Sequence, residues 1–256
     1  MTRSLASLLA LALLTPLLGP SPPAAAGDFL AQQRRYDRVA AAWRDHRVDV
    51  RARFDAAGAA WPPRGLFLRA HKREGELELW AAPREGKRLV RVRTLPICAA
   101  SGTLGPKARA GDGQVPEGFY AIARFNPRSS YHLSLGLDYP NAVDRARAAG
   151  QAPGGDIFIH GSCVTIGCLP LEDGPVSWLY LTAVLARDAG QLRLPVHVFP
   201  CRMGTTACEQ ALAGLSADDA EREAFWEELR PFYEAFERDR VVPSVRATAA
   251  GYRLDR

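Results

Sequence analysis

With 256 residues, 47% of them hydrophobic, the chain can bury one sizeable core, and it carries neither low-complexity blocks nor repeats that would point to disorder or a solenoid. The formal charge of +5 is mild and the arginines are scattered without a nucleic-acid motif, so a nucleic-acid partner is not expected, while an anionic polymer fits the charge equally well.

The opening MTRSLASLLALALLTPLLGPSPPAAAG has a short basic start, an apolar stretch from Leu5 to Leu18 and small residues at Ala24 to Ala26. It reads as a secretory signal over 1–26. The run is short for a spanning helix and holds Pro16, so an uncleaved anchor is the lesser alternative and no stable membrane span is expected after cleavage. A periplasmic or secreted location follows, where disulfides form. Of the five cysteines, Cys201 and Cys208 make the more plausible local bridge and Cys98 with Cys163 a weaker one, which leaves one odd thiol.

Residues 28–58 place Leu30, Val39, Trp43, Val48 and Phe54 at roughly helical spacing, which predicts one or two amphipathic helices ended by Trp61, Pro62 and Pro63. From Leu66 the period changes to two: LFLRA, LELWAA and LVRVRTLPI read as strands, with Lys72, Lys87 and nearby arginines on a wet face. The Gly- and Pro-dense segment 101–118 is a loop whose Lys107 and Arg109 are candidates to meet a substrate carboxylate, and whose Asp112 and Glu117 read as structural.

Two further strands are expected over 119–125 and 131–137, with His132 and Ser134 on one face, and then a loop and short helix over 138–150 containing Tyr139 and Asn141. A turn over 170–175 precedes a helix over 176–189; LPVHVF at 194–199 is a strand with His197 in the core. Residues 217–239 form a helix with the stripe Phe225, Trp226, Leu229, Phe232 and Phe236, in which Pro231 is expected to introduce a kink. The tail to Arg256 carries no signal.

The stretch DIFIHGSCVTIGC places His160 at the end of a buried apolar strand, eight residues before Cys168. The intervening loop is long enough to double back and bring the thiol within hydrogen-bond reach of the imidazole, and Gly167 suits a turn that frees its own amide and that of Cys168 for a developing oxyanion. A nucleophile and its base is the sharp reading, because an imidazole beside a thiol raises its thiolate fraction. Two buried residues side by side by chance is the bland one. A zinc site of His160, Cys163 and Cys168 lacks the fourth ligand of a structural centre.

The segment IHGSCVTIGC, together with SGTLGPKARAGDGQVPEGFY and FNPRSSYHLSLGLDYPN, resembles the peptidoglycan L,D-transpeptidase (YkuD-fold) superfamily, specifically its YafK-like branch, over about residues 65–205. The resemblance implies an α+β fold: a mainly β catalytic domain with flanking N- and C-terminal helices. Taken with the signal and the helical patterns at either end, the chain divides into a signal peptide (1–26), an N-terminal helical segment (27–62), the catalytic domain (63–205) and a C-terminal helical extension (206–256).

It further implies that Cys168 is the nucleophile, His160 the proton donor and acceptor, the Gly161 carbonyl the group that orients the imidazole, and Gly167 an oxyanion amide. His132, Ser134, Tyr139 and Asn141 are its candidates for substrate contact, with a hydrogen-bonded wall residue the equal or better reading of His132. The commonest superfamily signature has a second histidine two residues before the cysteine, where Ile166 stands here, and the YafK-like branch resembles this chain in that omission.

The reading is an exported cysteine enzyme that forms a thioester with a peptidoglycan stem peptide and needs no metal or organic cofactor. It either cross-links stem peptides or hydrolyses an amide to release an outer-membrane protein or lipoprotein linked to diaminopimelate. The alternative is a non-catalytic wall-binding scaffold with a vestigial His-Cys pair.

Overall fold

The computed structural model describes residues 28–255, so the signal expected over 1–26 lies outside the described residues. The Ala- and Arg-rich start forms α1 (Asp28–Gln33) and α2 (Asp37–Ala56). Val39, Ala42, Val50 and Phe54 bury one stripe of α2, but Val48, expected on that stripe, is 70% exposed. Three antiparallel strands follow, β1 (Phe67–His71), β2 (Glu76–Ala81) and β3 (Val90–Pro96).

After the long loop come β4 (Gly118–Asn126), β5 (Ser134–Leu137), α3 (Ala142–Arg147), β6 (Phe158–His160), β7 (Leu169–Pro170), α4 (Asp173–Asp188) and β8 (Pro195–Phe199). The chain ends in α5 (Thr206–Ser216), α6 (Ala220–Asp239) and a hairpin of β9 (Ser244–Thr248) and β10 (Gly251–Asp255), which the tail sequence does not announce. The architecture is α+β.

Eight strands make one mixed sheet in the order β3-β2-β1-β8-β4-β5-β6-β7, parallel only at β1–β8 and β6–β7. Strand alternation divides its side chains between two faces. Leu68, Ala70, Leu77, Leu79, Leu135, Leu137, Ile159, Leu169, Val196 and Val198 share one core with α2 and α4. Every residue of α4 from Val176 to Ala186 is buried, as befits a helix that is apolar nearly all round.

The opposite face carries Phe67, Trp80, Phe119 and Phe199, which meet Phe232, Tyr233 and Phe236 of α6. This overturns the wet face expected on β1 and β2, while Lys87, Arg88 and Arg91 stay exposed as expected. Arg69 is 2% exposed because α6 covers it: its guanidinium pairs with Glu78 at 2.8 Å and Glu237 at 2.5 Å, and lies over the rings of Tyr233 and Phe236. Lys72 is likewise withdrawn, bonded to the buried carboxylate of Glu117 at 2.9 Å.

Candidate active site

Register decides what meets at the far end of the sheet. Ser134 pairs with His160 across β5–β6, and His160 with Pro170 across the parallel β6–β7 pair. Ile159 pairs with Leu169, so Cys168 stands alongside Phe158 at the mouth of β7. Since Ile159 and Leu169 point into the core under α4, Ser134, Phe158, His160 and Cys168 point to the other face together. The thiol and the imidazole are thus one strand and two residues apart, a diagonal of roughly 7–8 Å between backbones that their side chains can bridge.

His160 is 3% exposed. Its Nδ1 lies 2.6 Å from the Gly161 carbonyl oxygen, which can only accept, so Nδ1 carries the proton and Nε2 is left as the acceptor. Burial lowers its pKa below the ordinary imidazole value, and the Gly161 bond partly opposes this. Gly161 has no room for a side chain: a Cβ would stand 2.5 Å from Asp173 Oδ1 and 2.9 Å from the His132 Cβ. Asp173 in turn accepts the Ser162 N–H at 2.8 Å, tying the turn after His160 to the start of α4. That helix begins at Asp173, three residues earlier than its sequence suggests.

Cys168 is the one free cysteine among the described residues, because Cys98–Cys163 and Cys201–Cys208 are disulfides. With Cys163 bonded to Cys98, the three-ligand zinc reading loses a ligand. Burial pushes the Cys168 thiol up; the Phe158 amide and Lys107 pull against this, and Asp156 adds to it. Burial thus disfavours the charged form of both groups.

The Cys168 S–H donates to the Asp156 carbonyl at 3.6 Å, and no hydrogen bond joins the sulfur to the imidazole, contrary to the contact expected from sequence. The amides expected to be free are also engaged: Gly167 and Cys168 donate to Thr165 Oγ1 at 3.1 and 2.8 Å, and that hydroxyl donates to the Cys168 carbonyl at 2.9 Å. Gly167, at φ +134°, presses against the Gln114 carbonyl of the long loop, where a Cβ would stand at 3.0 Å.

Thr165 therefore sets the turn that carries the thiol. Thr165→Val should lower the rate of Cys168 acylation by about 10- to 100-fold, since two amides lose their acceptor, whereas Thr165→Ser should stay within about twofold of the parent. A mass-spectrometric time course of acyl-adduct formation measures both.

The other expected contacts divide. Ser134 is buried beside His160 in the register. His132 does not lie in β5: it sits at φ +65° before the strand, with Nε2 2.7 Å from Ser177 Oγ, as a wall residue braced on α4. Tyr139 is buried and donates to the Pro153 carbonyl at 2.9 Å. Asn141 caps α3, and its amide group bonds the Phe119 carbonyl and the Tyr252 hydroxyl at 3.2 and 2.8 Å. Both spend their polar atoms holding the 138–150 segment. Lys107 is 4% exposed and occupied by the Asp112 carboxylate and the Arg109 carbonyl.

Sequence reasoning missed Tyr131. Its ring lies 4.8 Å from that of His160 while remaining 47% exposed, so it forms the outer cover of the imidazole. Burial is what lowers the His160 pKa, so Tyr131→Ala should raise it. Because the base must be neutral, the acid limb of the pH–rate profile should move to higher pH in this variant, by about half a unit or more. An unmoved limb would mean that the ring does not desolvate the base.

No family model matches the chain. The chain is 32% identical over 189 residues to "Putative L,D-transpeptidase YafK" of Escherichia coli strain K12, across 73% of this chain and 72% of that protein. Among solved structures, the helical cell shape determining protein Pgp2 of Campylobacter jejuni covers 77% of this chain and 78% of its own at 16% identity and a TM-score of 0.42. L,D-transpeptidase 1 of Mycobacterium tuberculosis covers 53% of this chain and 62% of its own, at 15% identity and a TM-score of 0.30. The similarity to YafK places this protein in the peptidoglycan-related L,D-transpeptidase-like family. Within that superfamily it belongs to the YafK-like branch.

Proposed function

We propose that the protein is an exported cysteine acyl-transfer enzyme of peptidoglycan. The observation that carries this reading is a lone free thiol on the same sheet face as, and one strand from, an imidazole whose Nδ1 is pinned by a backbone carbonyl. In this reading Cys168 Sγ rotates from the Asp156 carbonyl, gives its proton to His160 Nε2 and bonds the carbonyl carbon of a stem-peptide amide. The amide C–N bond breaks as His160 returns the proton to the leaving nitrogen, which leaves a thioester. Water or an amine, deprotonated by the same imidazole, then releases the acyl group.

In this reading the steps call on no metal or organic cofactor. Hydrolysis and transpeptidation differ only in the second nucleophile, and incubating the protein with muropeptides linked or unlinked to a protein chain separates them. Released protein marks amide hydrolysis at a peptidoglycan-linked outer-membrane protein or lipoprotein, and new cross-links mark transfer. A thiol that takes no acyl group from any muropeptide would instead favour a non-catalytic wall-binding scaffold.

A further inference from the structure

Four residues lie in one row across the sheet on the face that holds the thiol. Arg124 of β4 pairs with Gly136 of β5, Gly136 with Phe158 of β6, and Phe158 stands beside Cys168. Gly136 leaves the row hollow: a Cβ there would stand 2.9 Å from the Phe158 ring and 3.1 Å from Arg124 Nε. The guanidinium uses that space to lie over the Phe158 ring, 4.8 Å from its centroid. One strand spacing, about 4.8 Å, then separates Phe158 from the residue that carries the sulfur.

This cation is weakly committed. Among the described residues its ion-pair partner is Asp156, at 2.6 Å, with side chains 54% and 78% exposed respectively. A pair so open to water is easily exchanged, and only one of the five N–H donors of the fork is used. Lys107, the cation that the sequence offers for this role, is by contrast buried and already bonded. Asp156 is also the residue whose backbone carbonyl takes the Cys168 S–H, and it is held at φ +55°, a conformation that aspartate tolerates better than most side chains.

We infer that Arg124 is the carboxylate-reading residue of the acyl-donor site, with Asp156 as a resident counter-ion that a free carboxylate of the substrate displaces. The inference rests on the acyl-transfer reading for its choice of substrate: a short peptide bearing a free carboxylate near the amide presented to Cys168. The planar fork of arginine receives a carboxylate through two parallel bonds, where the aspartate now supplies one.

The test uses the full chain with Cys168→Ala, so that donor is bound and not consumed, and titrates it calorimetrically with a defined stem tetrapeptide and its carboxamide analogues, one carboxylate blocked at a time. Blocking the carboxylate that is read should weaken binding about tenfold, the scale of one charge-assisted contact. Added Arg124→Gln should bring the acid down to the affinity of that carboxamide and leave the carboxamide unchanged. Asp156→Asn should tighten the acid several-fold and leave the carboxamide unchanged. If Arg124→Gln proves unfolded by circular dichroism, Arg124→Lys replaces it and should retain part of the preference, since it keeps the charge and loses the fork.

A preference for the acid that survives in the folded variant overturns the assignment, as does a parent that binds every analogue equally or not at all. Reactivity is read separately, with the unsubstituted thiol. A carboxylate preference without any acyl adduct removes the catalytic reading alone, and an adduct without the preference removes this one alone.

Discussion

Cys168→Ala is expected to lower acyl transfer from a muropeptide donor by at least about 10³-fold, and His160→Gln by a comparable factor, because nucleophile and base act as one unit. The two losses should not add in the double variant. The reason lies in the protonation states. Burial raises the thiol and lowers the imidazole, and so works against a resting thiolate–imidazolium pair. The proton must therefore move during attack, and His160 is required at that moment.

This makes a second, independent measurement decisive. Alkylation of Cys168 by iodoacetamide needs only the thiolate, so its rate in the parent should climb through neutral pH towards a midpoint above that of a free thiol. His160→Gln should change that curve little while removing the muropeptide reaction. A plateau of fast alkylation at pH 6 would sink the neutral-pair mechanism.

Glu117→Ala is expected to cost about 3–5 kcal/mol of stability, seen as a fall of roughly 10 °C in Tm, the scale for breaking a buried ion pair from one side. The fully buried Glu117 carboxylate accepts from the Gly105 amide at 2.7 Å and Trp226 Nε1 at 2.8 Å, and pairs with Lys72 Nζ at 2.9 Å. It thereby joins the long loop, helix α6 and the end of β1. Lys72 keeps its bonds to the Gly105 and Val115 carbonyls, so the ammonium is not stranded outright. Glu117→Gln keeps an acceptor and should lie between the two. Because the same loop abuts Gly167 through Gln114, the alanine variant should also acylate more slowly at temperatures where it remains folded. A change under 1 kcal/mol would mean that the loop is anchored elsewhere.

What could be read in the sequence follows the range of the forces involved. The α6 stripe and the alternation of β1 to β3 are local patterns, and each element formed near its expected place. Which face of β1 stays wet is not local: Arg69 is buried by a helix some 160 residues further along the chain, and nothing within FLRAH signals this. The site divides in the same way. His160 and Cys168 stood out as candidates because few side chains perform that chemistry.

Arg124 and Tyr131 escaped because an arginine in a strand and a tyrosine in a loop are ordinary until register and packing give them neighbours. Tyr139 and Asn141 were named for an expected capping loop, but their polar atoms went to backbone and hydroxyl partners that only the folded chain supplies.

The bridge between Cys98 and Cys163 closes a span of 65 residues and lands inside the turn that runs from His160 to Cys168. Closing a loop of that size removes about 4 kcal/mol of chain freedom from the unfolded ensemble. A newly made chain kept under reducing conditions would forgo that constraint and expose three thiols around one turn where the finished protein has one. The bridge retires two sulfurs beside the free one, fastens the turn, and leaves Cys168 as the free thiol of that turn.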